Sequence, residues 1–218
     1  MRHSVVLGPA VSGSWYPRDR KELSGLVDGL LERAAERGAE APGSVGALIV
    51  PHAGFVYSGA VAASAFVKLR GRAFDRIVLL GPSHYFGFHG AAIPDAATAY
   101  RTPLGDVAID REAIVALREA IGFRADDRMF EPEHALEAEL PFLQRVLSAD
   151  VPVVPVLMGG YIRQLILVKT PASTGLKTLY RFLTYQALPG SASQGRQSSY
   201  DRARKPYGGT FTALAAMA

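Results

Sequence analysis

Cysteine is absent from the 218 residues of this chain. No disulfide can therefore staple the fold, no thiolate can serve as nucleophile, and soft sulfur ligation is limited to four methionines. Any metal must be held by nitrogen and oxygen. No run of about 18 apolar residues could span a bilayer, and residues 1–17 lack the basic lead and apolar stretch of a signal peptide. A soluble, cytoplasmic protein with no membrane association is the expectation. Phosphate-cradling glycine signatures are missing too. Neither GxxxxGK[ST] nor GxGxxG occurs in the strand-to-helix turns, and no GxSxG elbow surrounds Ser83, which argues against a P-loop and a serine hydrolase.

Acidic residues are also unevenly scarce. Residues 1–160 hold 16 Lys and Arg against 19 Asp and Glu, a net of −3, whereas residues 161–218 hold 8 against 1, the single acid being Asp201. A basic tail can bind nucleic acid. This one lacks the aromatic interleaving of a single-strand platform, so a nucleic-acid role ranks last.

What is present is enough apolar material, 49% of the chain, to build a real core. Leu23, Leu26, Val27, Leu30 and Leu31 recur at helical spacing and predict a helix over 21–37, stopped by Gly38. The apolar runs at 45–50 and 76–80 end in Pro51 and in Gly81-Pro82 and read as buried parallel strands. The Ala-rich stretch 58–69 between them reads as the crossover helix of a βαβ unit, which would make the two strands neighbours. Further helices are expected over 110–120 and 134–147. The run VPVVPVL at 151–157, twice interrupted by proline, suits an edge or irregular strand. The pattern predicts an α/β three-layer sandwich with a largely parallel central sheet.

The chemistry-bearing residues fall at the ends of these elements. The first strand runs into Pro51-His52-Ala53-Gly54 and the second into Gly81-Pro82-Ser83-His84-Tyr85. Open α/β sheets bind ligands beyond the carboxyl ends of their strands, so His52 and His84 are expected to point into one crevice. Neutral imidazole is a common ligand for transition metals, and a pair needs a third N or O donor. His134, beside Glu133 and one turn before Glu137, lies at an expected helix start. Duller readings stand beside these. A histidine after a strand is often a capping residue, Glu133 can simply complement a helix dipole, and Tyr57 and Tyr85 can be packing residues. His3 and His89 have no supporting context and read as surface residues.

Six segments carry a resemblance. Residues 9–17 (PAVSGSWYP), 51–59 (PHAGFVYSG), 81–85 (GPSHY), 100–106 (YRTPLGD), 133–144 (EHALEAELPFLQ) and 155–159 (PVLMG) occur in the order found in the Memo-like family, whose bacterial members are called AmmeMemoRadiSam system protein B. The resemblance implies a fold similar to class III extradiol dioxygenases, which bind non-haem iron. It implies His52 and His84 as metal ligands, with His134 lining the same pocket, and Fe2+ or Cu as the metal. In this chain the third ligand would have to be His134, Glu133, Glu137 or water, His134 is the candidate acid or base, and Tyr57 and Tyr85 are candidates to orient substrate. The implied function is redox or dioxygenase-like, impaired here by the loss of the family's C-terminal motifs, and the alternative is a non-catalytic module holding a protein or peptide in the same cleft. An AMMECR-like protein or a radical SAM protein is the implied partner.

The resemblance stops at Gly160. The family continues with a Ser-Ser-Asp-x-x-His motif and a Cys-Gly that supplies the third ligand, and neither occurs here. Residues 1–160 are thus expected to form the Memo-like domain, truncated at its C-terminus, with 161–218 a divergent, poorly ordered basic tail. That tail is either a real appendage or the product of a frame shift near Gly160, a hypothesis motivated by the coincident loss of motifs and acids. Sequencing both strands of the coding region decides between them.

Overall fold

The computed structural model describes residues 5–38, 45–121, 123–147, 150–159 and 211–217. In chain order the elements are β1 (Val5–Leu7), α1 (Arg20–Glu36), β2 (Ala47–Pro51), α2 (Phe55–Phe66), β3 (Arg76–Pro82), β4 (Gly90–Ile93), β5 (Ala97–Thr102), β6 (Gly105–Ala108), α3 (Arg111–Ile121), β7 (Arg124–Ala125), α4 (Leu140–Val146), β8 (Val153–Gly159) and β9 (Phe211–Met217). Most of the expected tail therefore lies outside the described residues, β9 excepted.

Helix α1 forms where the apolar spacing predicts it. Asp19 caps its start by accepting from the N–H groups of Lys21 (2.8 Å) and Glu22 (3.0 Å). Leu23, Val27, Leu30, Leu31 and Ala34 are its buried stripe. Each of the four large side chains contributes about 1.5–3 kcal/mol on burial. The stripe packs on α2 and α4. At Gly59 of α2 an added Cβ would lie 3.0 Å from Leu30 Cδ1, so a glycine lets the two helices approach closely. Beneath them Tyr16, Phe55, Phe142 and Phe66 form an aromatic chain with centroids 5.3, 4.9 and 5.1 Å apart.

The helices are layered on a six-stranded sheet ordered β2-β9-β3-β8-β4-β7, and a three-stranded sheet β1-β5-β6 lies in addition to it. This is the α/β layering expected. The pairings are mixed: β3 and β8 are parallel, β9 runs antiparallel to both β2 and β3, and β4 runs antiparallel to β8. Strands β2, β3 and β8 consequently share one direction.

Three expectations are corrected. The β2 and β3 strands are not neighbours, because β9 occupies the slot that the α2 crossover skips. The run at 151–157 is not an edge: β8 lies between β3 and β4, all seven of its residues are buried, and β4 pairs only Leu157, Met158 and Gly159. Pro155 lies before that ladder, so its missing N–H removes no bond to β4. The helix expected from His134 begins in fact at Leu140, after a 3-10 turn over Glu137–Glu139, while the N–H groups of His134 and Ala135 are taken up by the Glu133 carboxylate. One close approach constrains the sheet near the histidine loop. A Cβ on Gly159 would sit 2.3 Å from the carbonyl oxygen of Phe88 and 2.4 Å from its ring.

Glu139 is the anomaly of the core. It is 1% exposed, and neither carboxyl oxygen has a hydrogen-bond partner among the described residues. Burial pushes its carboxyl well above the usual value of 4.5. The folded chain then keeps a proton that the unfolded chain releases, so this group's effect is to lower stability as pH rises above the unfolded value. Glu139→Met is expected to raise stability at pH 7 by about 1–3 kcal/mol, with a smaller gain at pH 4, read by urea unfolding at both pH values. An equal or lower stability at pH 7 would mean that the carboxyl is satisfied.

Candidate functional site

The three histidines singled out in the sequence converge. His52 follows β2 directly and is fully buried. His84 follows β3, where the Ser83 N–H bonds to the Met158 carbonyl (3.0 Å) and ties the turn to β8, leaving the imidazole on the lip with its side chain 27% exposed. His134 comes from the turn before α4 and is buried. Ring centroids lie 4.5 Å apart for His84 and His134, which stack, 5.4 Å for His52 and His84, and 6.2 Å for His52 and His134. The three rings therefore line one pocket.

Glu133 is 2% exposed and accepts four hydrogen bonds. Its Oε2 accepts from the His84 N–H (2.7 Å), and its Oε1 pairs with His84 Nδ1 (2.8 Å) and accepts from the N–H groups of His134 and Ala135 (2.9 Å each). With the Nδ1 proton donated to a carboxylate, the Nε2 lone pair of His84 is available to a ligand. Among the described residues, ligand atoms of His84, Glu133 and His134 all lie within 4.8 Å of one another. Glu133 thus orients the His84 ring, and with lone pairs to spare it also remains among the groups that could hold an ion.

Electrostatics favour the neutral form of His52 and of His134. Burial, followed by the neighbouring His84 and His134, lowers His52 to about 3, so it is neutral across the working range. Burial also lowers His134, opposed by the Glu133 charge and aided by His84.

The remaining candidates separate. Tyr85 reaches the cluster: its hydroxyl is 3.5 Å from His134 Nδ1 and its ring meets His134 edge to face at 5.9 Å, although it is 56% exposed. Tyr57 stands on the first turn of α2, 86% exposed. Glu137, the other carboxylate among the third-ligand candidates, faces away from the histidines. Its buried carboxylate is committed to the Ala10 and Val11 N–H groups and the Tyr16 hydroxyl. Burial raises its carboxyl while those three hydrogen bonds oppose the rise. Tyr16 is raised above its ordinary value by burial, by the Glu137 charge and by the same hydrogen bond. Sequence reasoning assigned no role to Trp15, whose ring packs edge-on against His134 at 4.3 Å. The segment SGSWYP carried the only signal for it.

The sequence is similar to that of known proteins. The family profile described as Memo-like protein matches residues 8–165, a stretch that includes all six motifs. The "Protein memo-1 homolog" of Caenorhabditis elegans is 39% identical over 151 residues, covering 68% of this chain and 42% of that protein. A "MEMO1 family protein" of Aeropyrum pernix is 37% identical over 161 residues, 70% of this chain and 57% of that protein. "Protein MEMO1" of Xenopus laevis is 34% identical over 163 residues, 72% of this chain and 52% of that protein. The chain thus spans about half the length of the relatives it matches.

The Glu133 contacts make a directly observable prediction. Long-range 1H–15N spectra of the histidine rings are expected to show His84 as the Nδ1–H tautomer in the wild type. Glu133→Gln keeps one acceptor of two and is expected to lose that signature, with destabilisation of about 1.5–3 kcal/mol. An Nε2–H tautomer for His84 in the wild type would refute the assignment.

Proposed function

The chain belongs to the Memo-like protein family, and from that premise we propose that it holds a divalent redox-active metal, Fe2+ or Cu, on His52, His84 and His134 and belongs functionally with metal-dependent, dioxygenase-like oxidoreductases. The observation that carries the reading is the meeting of three imidazoles beyond the carboxyl ends of β2 and β3, with the His84 tautomer set by Glu133. The residues present fit such an ion. They offer nitrogen donors of the type that suits iron and copper, and the chain has no thiolate to compete. His134 takes the place that the resemblance gives to a third ligand from the absent C-terminal motifs.

An ion bound there would supply Lewis acidity and one-electron chemistry at coordination positions that three protein donors leave open. The chain's own residues do the rest. His52 stays neutral at the floor, Glu133 holds the proton on His84 Nδ1, and Trp15 shields one side of His134 from water. The Tyr85 hydroxyl, beside His134 Nδ1, is placed to exchange a proton with that ring or to hydrogen-bond a substrate oxygen. Tyr57, exposed on the first turn of α2 and five residues after His52, is the other side chain proposed to orient an incoming ligand.

A second reading has its own support. Val56, Tyr57, Val61, Tyr85 and Phe86 are exposed on α2 and on the loop after β3, and apolar surface of this kind suits a protein or peptide partner held without catalysis. An AMMECR-like or radical SAM protein is the partner proposed.

Metal analysis of the purified chain, alongside the His52→Ala, His84→Ala double variant, tests the first reading. About one ion per chain in the wild type and none in the folded double variant is the expected result. Wild type that takes up no Fe2+ or Cu2+ on reconstitution would overturn it in favour of the binding module.

A further inference from the structure

Glu137 is a buried carboxylate that the proposed metal chemistry does not use, and its partners all belong to one distant loop. Its Oε2 accepts from the Ala10 N–H at 2.6 Å, and its Oε1 accepts from the Val11 N–H at 3.2 Å and from the Tyr16 hydroxyl. Those partners lie at the two ends of a turn that is otherwise closed on itself. Within it the Ser14 and Trp15 N–H groups donate to the Val11 carbonyl at 3.1 and 2.9 Å, and Gly13 donates to the Tyr16 carbonyl at 2.7 Å. Gly13 sits at φ 86°, where a side chain would be strained. The turn is therefore a compact body gripped at both ends by one side chain.

Trp15 is what that body carries to the site. Its carbonyl accepts from the Phe55 N–H at 2.9 Å, three residues beyond His52, and its ring lies 4.3 Å from His134. Glu137 and His134 are rigidly related, being one turn apart with the Ala138 N–H bonded to the His134 carbonyl at 3.1 Å.

We propose that Glu137 is a positioning residue of the histidine cleft: it seats the 10–16 turn so that Trp15 forms the wall against His134. The chemistry of the side chain is specific to the task. Three donors meet two oxygens, which a carboxylate satisfies with lone pairs to spare. A glutamine would turn NH2 donors toward at least one N–H or O–H group, and an aspartate is one methylene too short. The role rests on the construction of the cleft and stands whether or not a metal occupies it.

Trp15 is the only tryptophan in the chain, so its emission reads the wall directly. The full-length wild type, Glu137→Gln, Tyr16→Phe and the control Glu139→Gln would be compared by emission maximum, acrylamide quenching, Cu2+ titration and thermal unfolding. Glu137→Gln is expected to shift emission to the red and to expose Trp15 to acrylamide. It is also expected to raise the Cu2+ midpoint about 10–100-fold, the usual penalty for losing outer-shell support. Tyr16→Phe should move the same readouts part of the way. Glu139→Gln, which removes a buried carboxyl that does not touch the turn, should leave emission at the wild-type position. A folded Glu137→Gln with wild-type emission and quenching would overturn the proposal. If that variant does not fold, Tyr16→Phe decides, wild-type emission again overturning it. A wild type indifferent to Cu2+ would sink the metal reading alone, since the emission comparison still decides the role of Glu137.

Discussion

A carboxylate removed from water must collect hydrogen bonds or lose its charge, and the structure around the cleft is organised by how Glu133 and Glu137 meet that requirement. Glu133 ties the loop after β3 to the turn that carries His134. One turn later, Glu137 ties the N-terminal segment to the same element. Further along, Gln144 accepts from the Thr102 hydroxyl at 2.7 Å and donates to the Gly105 carbonyl at 3.1 Å, holding the β5–β6 turn. Four of the six sequence motifs are thereby joined through polar side chains of one twelve-residue stretch, 133–144.

The parts of the fold that were legible in the sequence are those governed by local rules. Helix α1 follows from the spacing of Leu23, Val27, Leu30 and Leu31 and from the capping of its start by Asp19, all of which act within a few turns of chain. Strands β2 and β3 follow from short apolar runs halted by proline. The β5–β6 hairpin went unread because its signal is a four-residue turn, Thr102-Pro103-Leu104-Gly105, with Gly105 at φ 133° and little apolar alternation beside it. The misjudged β8 shows a tertiary override. Two prolines argue for an edge in isolation, yet a neighbouring strand that pairs only the last three residues makes Pro155 tolerable in the interior.

The site divides along the same line. His52 and His84 could be placed together from strand ends and turn chemistry, whereas His134 joined them only through the family resemblance, since the helix expected to start there starts at Leu140. Glu133 and Glu137 are equally buried and close in sequence, and nothing in their spacing tells which faces a histidine and which faces the N-terminus. Their partners are 49 and more than 120 residues away. Trp15 is similar: the turn that carries it to His134 is held by Glu137, more than 120 residues away, and by the Phe55 N–H. The intervening β9 went unread for a related reason, since the register between strands is set by pairing and leaves no mark on the helix that connects β2 and β3.

The tight approach at Gly159 has a bearing on heredity. Every missense change open to a glycine codon by a single nucleotide substitution adds a Cβ, and at this position the Cβ would fall 2.3 Å from the Phe88 backbone, in the loop that also carries His84. Any such change therefore requires Phe88, and with it the loop between β3 and β4, to move. Lineages that reshape the mouth of the cleft must do so from Tyr85 and Phe86 or from the first turn of α2.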